Sequence, residues 1–107
     1  MNFRSIVRSA VLAAAIAVGA SQAAAEDTIK IGVVAEVTGP FASIAKQMLN
    51  GMRLYMKQNG DTVAGKKIEL IVKDTTGAQP EIAKRLVQEL ITRDNVDFIV
   101  GFGLTPN

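Results

Sequence analysis

Ile29-Lys-Ile-Gly-Val-Val-Ala35, running on into Glu36-Val-Thr-Gly-Pro40, is the stretch from which the fold can be read. Its first residues alternate apolar with polar, and from Gly32 to Ala35 no polar side chain remains. A β-strand covered on both faces reads this way, and such strands belong to parallel sheets with helices above and below. Thr38, Gly39 and Pro40 stop the strand and turn the chain, leaving a loop at its carboxyl end.

Downstream the period of the apolar residues lengthens. Between Ala42 and Gln58, Ile44, Met48, Met52 and Met56, with Ala45, Leu49 and Tyr55 beside them, predict one face of a helix. Lys46, Gln47, Asn50, Arg53 and Lys57 take the other side. Gly51 lies within this pattern, where glycine costs about 1 kcal/mol relative to alanine; close approach of the helix to the sheet would explain it. Asn59-Gly60-Asp61 ends the helix, and Lys67 to Lys73 gives a second strand centred on Ile68, Leu70, Ile71 and Val72. Asp74 to Gln79 is a polar loop, and Pro80 stands where proline suits the first position of a helix. That helix runs to about Arg93, with Ala83, Leu86, Val87, Leu90 and Ile91 on one face and Lys84, Arg85, Gln88 and Glu89 on the other. Val96 to Val100 is a third strand, and Gly101 to Asn107 its following loop. Strand, helix, strand, helix, strand calls for an α/β fold with a parallel, doubly wound sheet. Its ligand would lie beyond the carboxyl ends of the strands, where the strand order reverses. The loops 36–41, 74–79 and 101–107 are therefore expected to converge.

Ahead of the first strand the composition shifts. Met1 to Arg8 carries Arg4 and Arg8 and no acid, Ala10 to Ala20 is an apolar run of 11 residues, and Ser21 to Ala25 is small residues and one glutamine. This is the three-part layout of a secretory signal peptide, with Ala23 and Ala25 placing the cut after Ala25. The run falls short of the roughly 20 residues that span a bilayer, so no stable membrane anchor is expected. The expected mature chain, residues 26–107, carries ten basic and ten acidic residues. Interspersed signs at zero net charge give no electrostatic footprint for nucleic acid or anionic lipid. Without cysteine, an exported domain must be held by its core alone.

Chemistry is constrained as sharply. The chain has no histidine and no cysteine, so triads, zinc sites and thiol nucleophiles built on them are excluded. Glu36 and Asp74, both at strand ends, remain as a pair for acid–base or magnesium chemistry, but no enzyme, metal or cofactor is expected. Gly60-Asp-Thr-Val-Ala-Gly-Lys66-Lys67 nearly spells a phosphate-binding loop, yet lysine stands where serine or threonine must hold magnesium, and the stretch leads from helix to strand instead of the reverse. Gly101-Phe-Gly-Leu-Thr-Pro106 begins like a dinucleotide fingerprint but has proline for the third glycine and follows the third strand, not the first. What that loop offers is exposed backbone N–H groups beside Gly101 and Gly103 and the Thr105 hydroxyl, donors able to hold a carboxylate if a helix starts next. A plain turn is the alternative.

Taken together, Ile29 to Ala42, Asn50-Gly-Met-Arg-Leu54, Gly65-Lys-Lys-Ile-Glu-Leu70, Lys73-Asp-Thr75, Pro80 and Val96-Asp-Phe-Ile-Val-Gly101 resemble the start of the branched-chain amino-acid-binding receptors of ABC transporters. The resemblance covers residues 28–107 in order. It implies a type I periplasmic-binding-protein-like fold of two α/β lobes with the ligand clasped between them, of which residues 26–107 would be the first βαβαβ portion of the N-terminal lobe. It implies periplasmic localisation, a small-molecule carboxylate as ligand, and an ABC membrane permease as partner. In such receptors the loop after the first strand forms a wall, here Thr38 to Phe41, and Gly103, Leu104 and Thr105 match the positions that donate to the ligand carboxylate. Phe41 and Phe102 are the candidates for apolar contact with the ligand, with lobe packing as their alternative. Asp74 is expected mainly as a loop or helix-start acceptor, with ligand contact as its alternative, and Gly39 and Pro40 as turn-formers. Many members carry a serine-rich stretch where this chain has Leu104-Thr-Pro-Asn107, wording closer to subgroups that take aromatic or other organic acids.

Three other readings compete. A signalling receiver would need an acidic pair at the end of the first strand, where only Glu36 stands, and would not be exported. A ligand-binding sensor domain of a membrane receptor would share the fold. A truncated remnant is the third: the family's length implies much more chain, and with open sheet edges the 82 residues alone would bind ligand poorly.

Overall fold

The computed structural model describes residues 27–107; the expected signal peptide and its cut after Ala25 lie outside the described residues. The elements are β1 (Thr28–Ala35), α1 (Ala42–Asn59), β2 (Thr62–Val63), β3 (Lys66–Asp74), α2 (Pro80–Thr92) and β4 (Phe98–Gly101). They build one sheet in the order β2-β3-β1-β4, with β1 parallel to both β3 and β4.

β1 is central because its second half has nothing polar to show water: Val33, Val34 and Ala35 are fully buried. Alternation along the strand sends them to opposite faces. Val33 and Ala35 pack with Ala45 and Leu49 of α1, flanked by Ile31, Met48, Met52, Leu70 and Val72. Val34 packs with Ala83 and Leu90 of α2, flanked by Ile71, Val87, Val96 and Ile99. The sheet is thus covered on both sides, as the unbroken apolar run of β1 requires. Both helical stripes are narrower than the sequence pattern suggests. Ile44, Tyr55 and Ile91 are exposed, because each helix rests on only four short strands and its outer flank meets solvent among the described residues.

Close helix-to-sheet approach falls at Gly32, not at Gly51. A Cβ at Gly32 would lie 2.8 Å from Leu90 Cδ1, whereas one at Gly51 would meet nothing within 4 Å. Gly51 is exposed, and the packing offers no account of it.

Two strand boundaries also differ from expectation. The glycine-rich turn of residues 60–67 contains a short strand, β2, paired antiparallel with β3 through Thr62↔Lys67 and Val63↔Lys66. Ala64 (φ 51°) and Gly65 (φ 78°) form its two-residue loop, and two left-handed residues in succession are what a tight hairpin needs to match strand twist. The third strand of the sequence reading, β4, starts at Phe98 instead of Val96. The Val96 amide still donates to the Leu90 carbonyl (3.2 Å), and Asn95 turns the chain with φ 52°.

Under α2 a charge cluster ties helix to sheet. Lys73 Nζ lies 2.9 Å from Asp94 Oδ2 and 3.8 Å from Glu89 Oε2, and Lys30 Nζ donates to the Asp94 carbonyl at 3.2 Å. The hydrogen bond from Lys73, with the nearby positive charges, holds the Asp94 carboxyl below its ordinary value against the opposing effect of desolvation.

Candidate functional site

Val34 of β1 sits opposite Lys73 of β3 on one side and Gly101 of β4 on the other. The carboxyl ends of all three parallel strands therefore lie abreast, and the chain passes from β1 to β3 on one side and then crosses back past β1 to β4 on the other, reversing the strand order at β1. This is the switch point of a doubly wound sheet, where a crevice opens. The loops 36–41, 74–79 and 101–107 do converge there, and side chains bind them together.

Asp74, the last residue of β3, fastens the first loop. Its Oδ1 accepts from the amides of Val37 (3.0 Å), Thr38 (3.4 Å) and Thr76 (2.8 Å), and its Oδ2 from the Thr38 hydroxyl. Partial burial by itself would raise the Asp74 pKa; the bonds from the Thr38 hydroxyl and the three amides outweigh it and hold the carboxyl below its ordinary value. Asp74 is thus a loop acceptor, as expected, and it spans two loops. Gly39 (φ 81°) seals the same contact, since a Cβ there would fall 2.5 Å from the Thr76 carbonyl.

Asn107 fastens the third loop. Its Nδ2 donates to Glu36 Oε1 (2.7 Å), to the Gly77 carbonyl (3.0 Å) and to Thr75 Oγ1 (3.4 Å), while its Oδ1 accepts from the Gln79 amide at 2.7 Å. One amide side chain thereby joins the ends of β1, β3 and β4 and meets the amide just before α2. Beneath it Glu36 is 2% exposed and Thr75 0%, and the Thr75 hydroxyl donates to Glu36 Oε1 at 3.4 Å. Sequence reasoning placed Glu36 at a strand end but missed this cluster. Its signal, a carboxylate closing an otherwise apolar strand, gives no hint of partners 39 and 71 residues away. Glu36 and Asp74 do not share a ligand-free pair of the kind magnesium would need. Each is engaged by its own donors, and among the described residues no group of three or more potential metal ligands occurs.

The sequence-predicted site residues divide between two flanks. Phe41, 39% exposed, immediately precedes α1, and its carbonyl accepts from the Ile44 amide at 3.1 Å. Phe102, equally exposed, follows β4; its amide donates to the Val34 carbonyl at 2.8 Å while its backbone is left-handed, φ 58°. For a bulky residue that conformation is an outlier, the kind of strain that collects at binding sites. Gly101 is needed on both counts: φ is 119° and a Cβ would fall 2.0 Å from the Val34 carbonyl oxygen. Gly103 is needed for space alone, since a Cβ there would stand 2.6 Å from Glu36 Oε2. Leu104 and Thr105 complete a turn closed by the Asn107 amide donating to the Leu104 carbonyl at 3.1 Å. Leu104 is half-buried and Thr105 exposed. Two like charges 4 Å apart repel by about 4 kcal/mol at an effective dielectric near 20. A second carboxylate directly over Gly103 would meet that opposition from Glu36.

Comparison with known proteins agrees with this geometry. A family model described as periplasmic binding protein matches residues 28–105. Leu/Ile/Val-binding protein homolog 6 of Brucella abortus (strain 2308) is 35% identical over 88 residues, 82% of this chain and 23% of that protein. A solute-binding protein of an ABC transporter from Rhodopseudomonas palustris BisB5, solved in complex with 3,4-dihydroxybenzoic acid, is 56% identical with a TM-score of 0.72, over 76% of this chain and 22% of that one. Another from R. palustris, solved with 4-hydroxybenzoate, is 34% identical with a TM-score of 0.73 over the same shares. The chain spans less than a quarter of the length of these relatives.

Proposed function

The chain belongs to the periplasmic binding protein family, and from that premise we propose that it serves as the extracytoplasmic solute-binding component of an ABC importer for a small organic carboxylate, with hydroxylated aromatic acids as the favoured class. The observation that carries this reading is the convergence of three loops at the switch point, tied into one wall by Asp74 and Asn107. A preformed wall lowers the ordering entropy that a ligand must otherwise meet. The aromatic preference is supported by the 56% and 34% identical relatives and the acids they were solved with.

On this reading residues 26–107 contribute one side of a two-lobed clasp. Phe41 and Phe102 offer aromatic faces to the ring of the ligand, in the offset or edge-on arrangements such pairs prefer. The Leu104 backbone N–H and the Thr105 hydroxyl hold its carboxylate; neither donor needs a counter-charge to do so. Residues 1–25 direct export and are removed, and a membrane permease receives the loaded protein. The test is isothermal calorimetry of the protein as its gene encodes it, against 3,4-dihydroxybenzoate, 4-hydroxybenzoate, benzoate and leucine. Micromolar or tighter binding of the hydroxylated acids, weakened about tenfold by Phe102→Ala, is the expected result. Heat from none of the four would sink the carboxylate reading, and leucine as the tightest ligand would sink the aromatic preference.

A further inference from the structure

We infer that Glu36 is a specificity-determining residue of the crevice: its Oε2 accepts a hydrogen bond from an O–H or N–H donor on the ligand and turns away a second carboxylate at that end. The inference rests on the ligand-binding reading above and adds to it the chemistry of the far end of the ligand.

Three observations carry it. Glu36 is 98% buried, yet only Oε1 is engaged, by the Asn107 amide and the Thr75 hydroxyl; Oε2 accepts no hydrogen bond from any described residue. A buried carboxylate oxygen left without a donor is costly. Oε2 is not among the fully enclosed side-chain atoms without a hydrogen bond, so it is not sealed from the surface. Gly103 lies against it, and a Cβ there would stand 2.6 Å from Oε2 and crowd it. Its φ lies outside the left-handed range, so backbone conformation does not call for the glycine; the closeness of Glu36 Oε2 does. Asn107 and Thr75 are positioning residues here, since they fix the carboxylate by its other oxygen. A ligand whose carboxylate is held on the Leu104–Thr105 side would present its opposite end, a ring hydroxyl or an ammonium group, to Oε2. Both are donors, and both replace the missing hydrogen bond with a charge-assisted one.

The test compares ligand pairs that differ by the donor alone, in wild type and in Glu36→Gln, which keeps size and one acceptor. The pairs are 4-hydroxybenzoate against benzoate for a hydroxyl, and leucine against 4-methylpentanoate for an ammonium; terephthalate carries a second carboxylate in place of the hydroxyl. Wild type is expected to favour the donor-bearing member of one pair by about tenfold and to reject terephthalate. Glu36→Gln should shrink that preference to below about threefold and narrow the terephthalate penalty. The pair that responds identifies the donor. Gly103→Ala, which crowds Oε2 without touching its charge, should shrink the same preference and guards against misfolding of the first variant. Equal losses for all ligands in folded variants, or an unchanged preference, would overturn the inference alone. Failure of wild type to bind any of the five would overturn the carboxylate reading and this inference with it.

Discussion

At the scale of single residues, the crevice depends on a few polar side chains that each hold several partners. Asn107→Leu removes four hydrogen bonds and leaves the buried Glu36 carboxylate with Thr75 alone. We expect a loss of about 3 kcal/mol in urea unfolding, against less than about 1 kcal/mol for an exposed substitution such as Gln88→Ala. Gly101→Ala should be at least as damaging, since left-handed backbone and the Val34 carbonyl both oppose a Cβ there. Asp74 makes stability pH-dependent. Its folded pKa is depressed, so its contribution is complete above the ordinary aspartate value of about 4 and disappears as pH falls through the lower folded value. Unfolding midpoints between pH 7 and pH 2 should therefore fall less steeply for Asp74→Asn than for wild type. None of these partnerships is legible in sequence. Glu36, Thr75 and Asn107 are ordinary loop residues until the chain brings them together across separations of 32 to 71 positions.

At the scale of elements, hydrophobic period carried most of the information. β1, α1, β3 and α2 fall within one or two residues of where alternation and helical spacing place them, and the buried positions of α2, Ala83, Leu86 and Leu90, belong to the stripe read from sequence. The misplaced detail is the helix–sheet contact. Gly51 looks anomalous because a helix dislikes glycine, whereas Gly32 looks unremarkable within a strand; only the position of Leu90 shows which of the two is a packing requirement. Leu90→Ala should cost about 2–5 kcal/mol, and Gly32→Ala about 1–3 kcal/mol by overpacking. The double variant should lose less than the sum, because the new methyl enters space that Leu90 vacates; a denaturant double-mutant cycle that is simply additive would contradict the contact.

At the scale of the whole molecule, β4 pairs with one neighbour among the described residues, β1. Phe98, 60% exposed, and Val100 lie on the α1 face beyond the helix's reach. At the other edge, β2 covers only the beginning of β3. The small-molecule role is therefore supported at the carboxyl ends of the parallel strands, by loops that are joined to one another. A surface concavity lined by Arg53, Met56, Lys57, Gly60, Asp61 and Leu70 lies where α1 ends, away from those loops.

The sequence by itself determined the α/β class, the order of the main elements, the loops that meet at the carboxyl ends and the family, because strand and helix periods and turn residues are local properties of the chain. Tertiary structure alone decided that the Glu36 carboxylate is buried against Gly103, that Asn107 clamps three loops, and that Gly32 rather than Gly51 admits the helix. Each of these depends on distances between residues far apart in the chain, and those distances exist only once β1 has been enclosed between β3, β4 and the two helices.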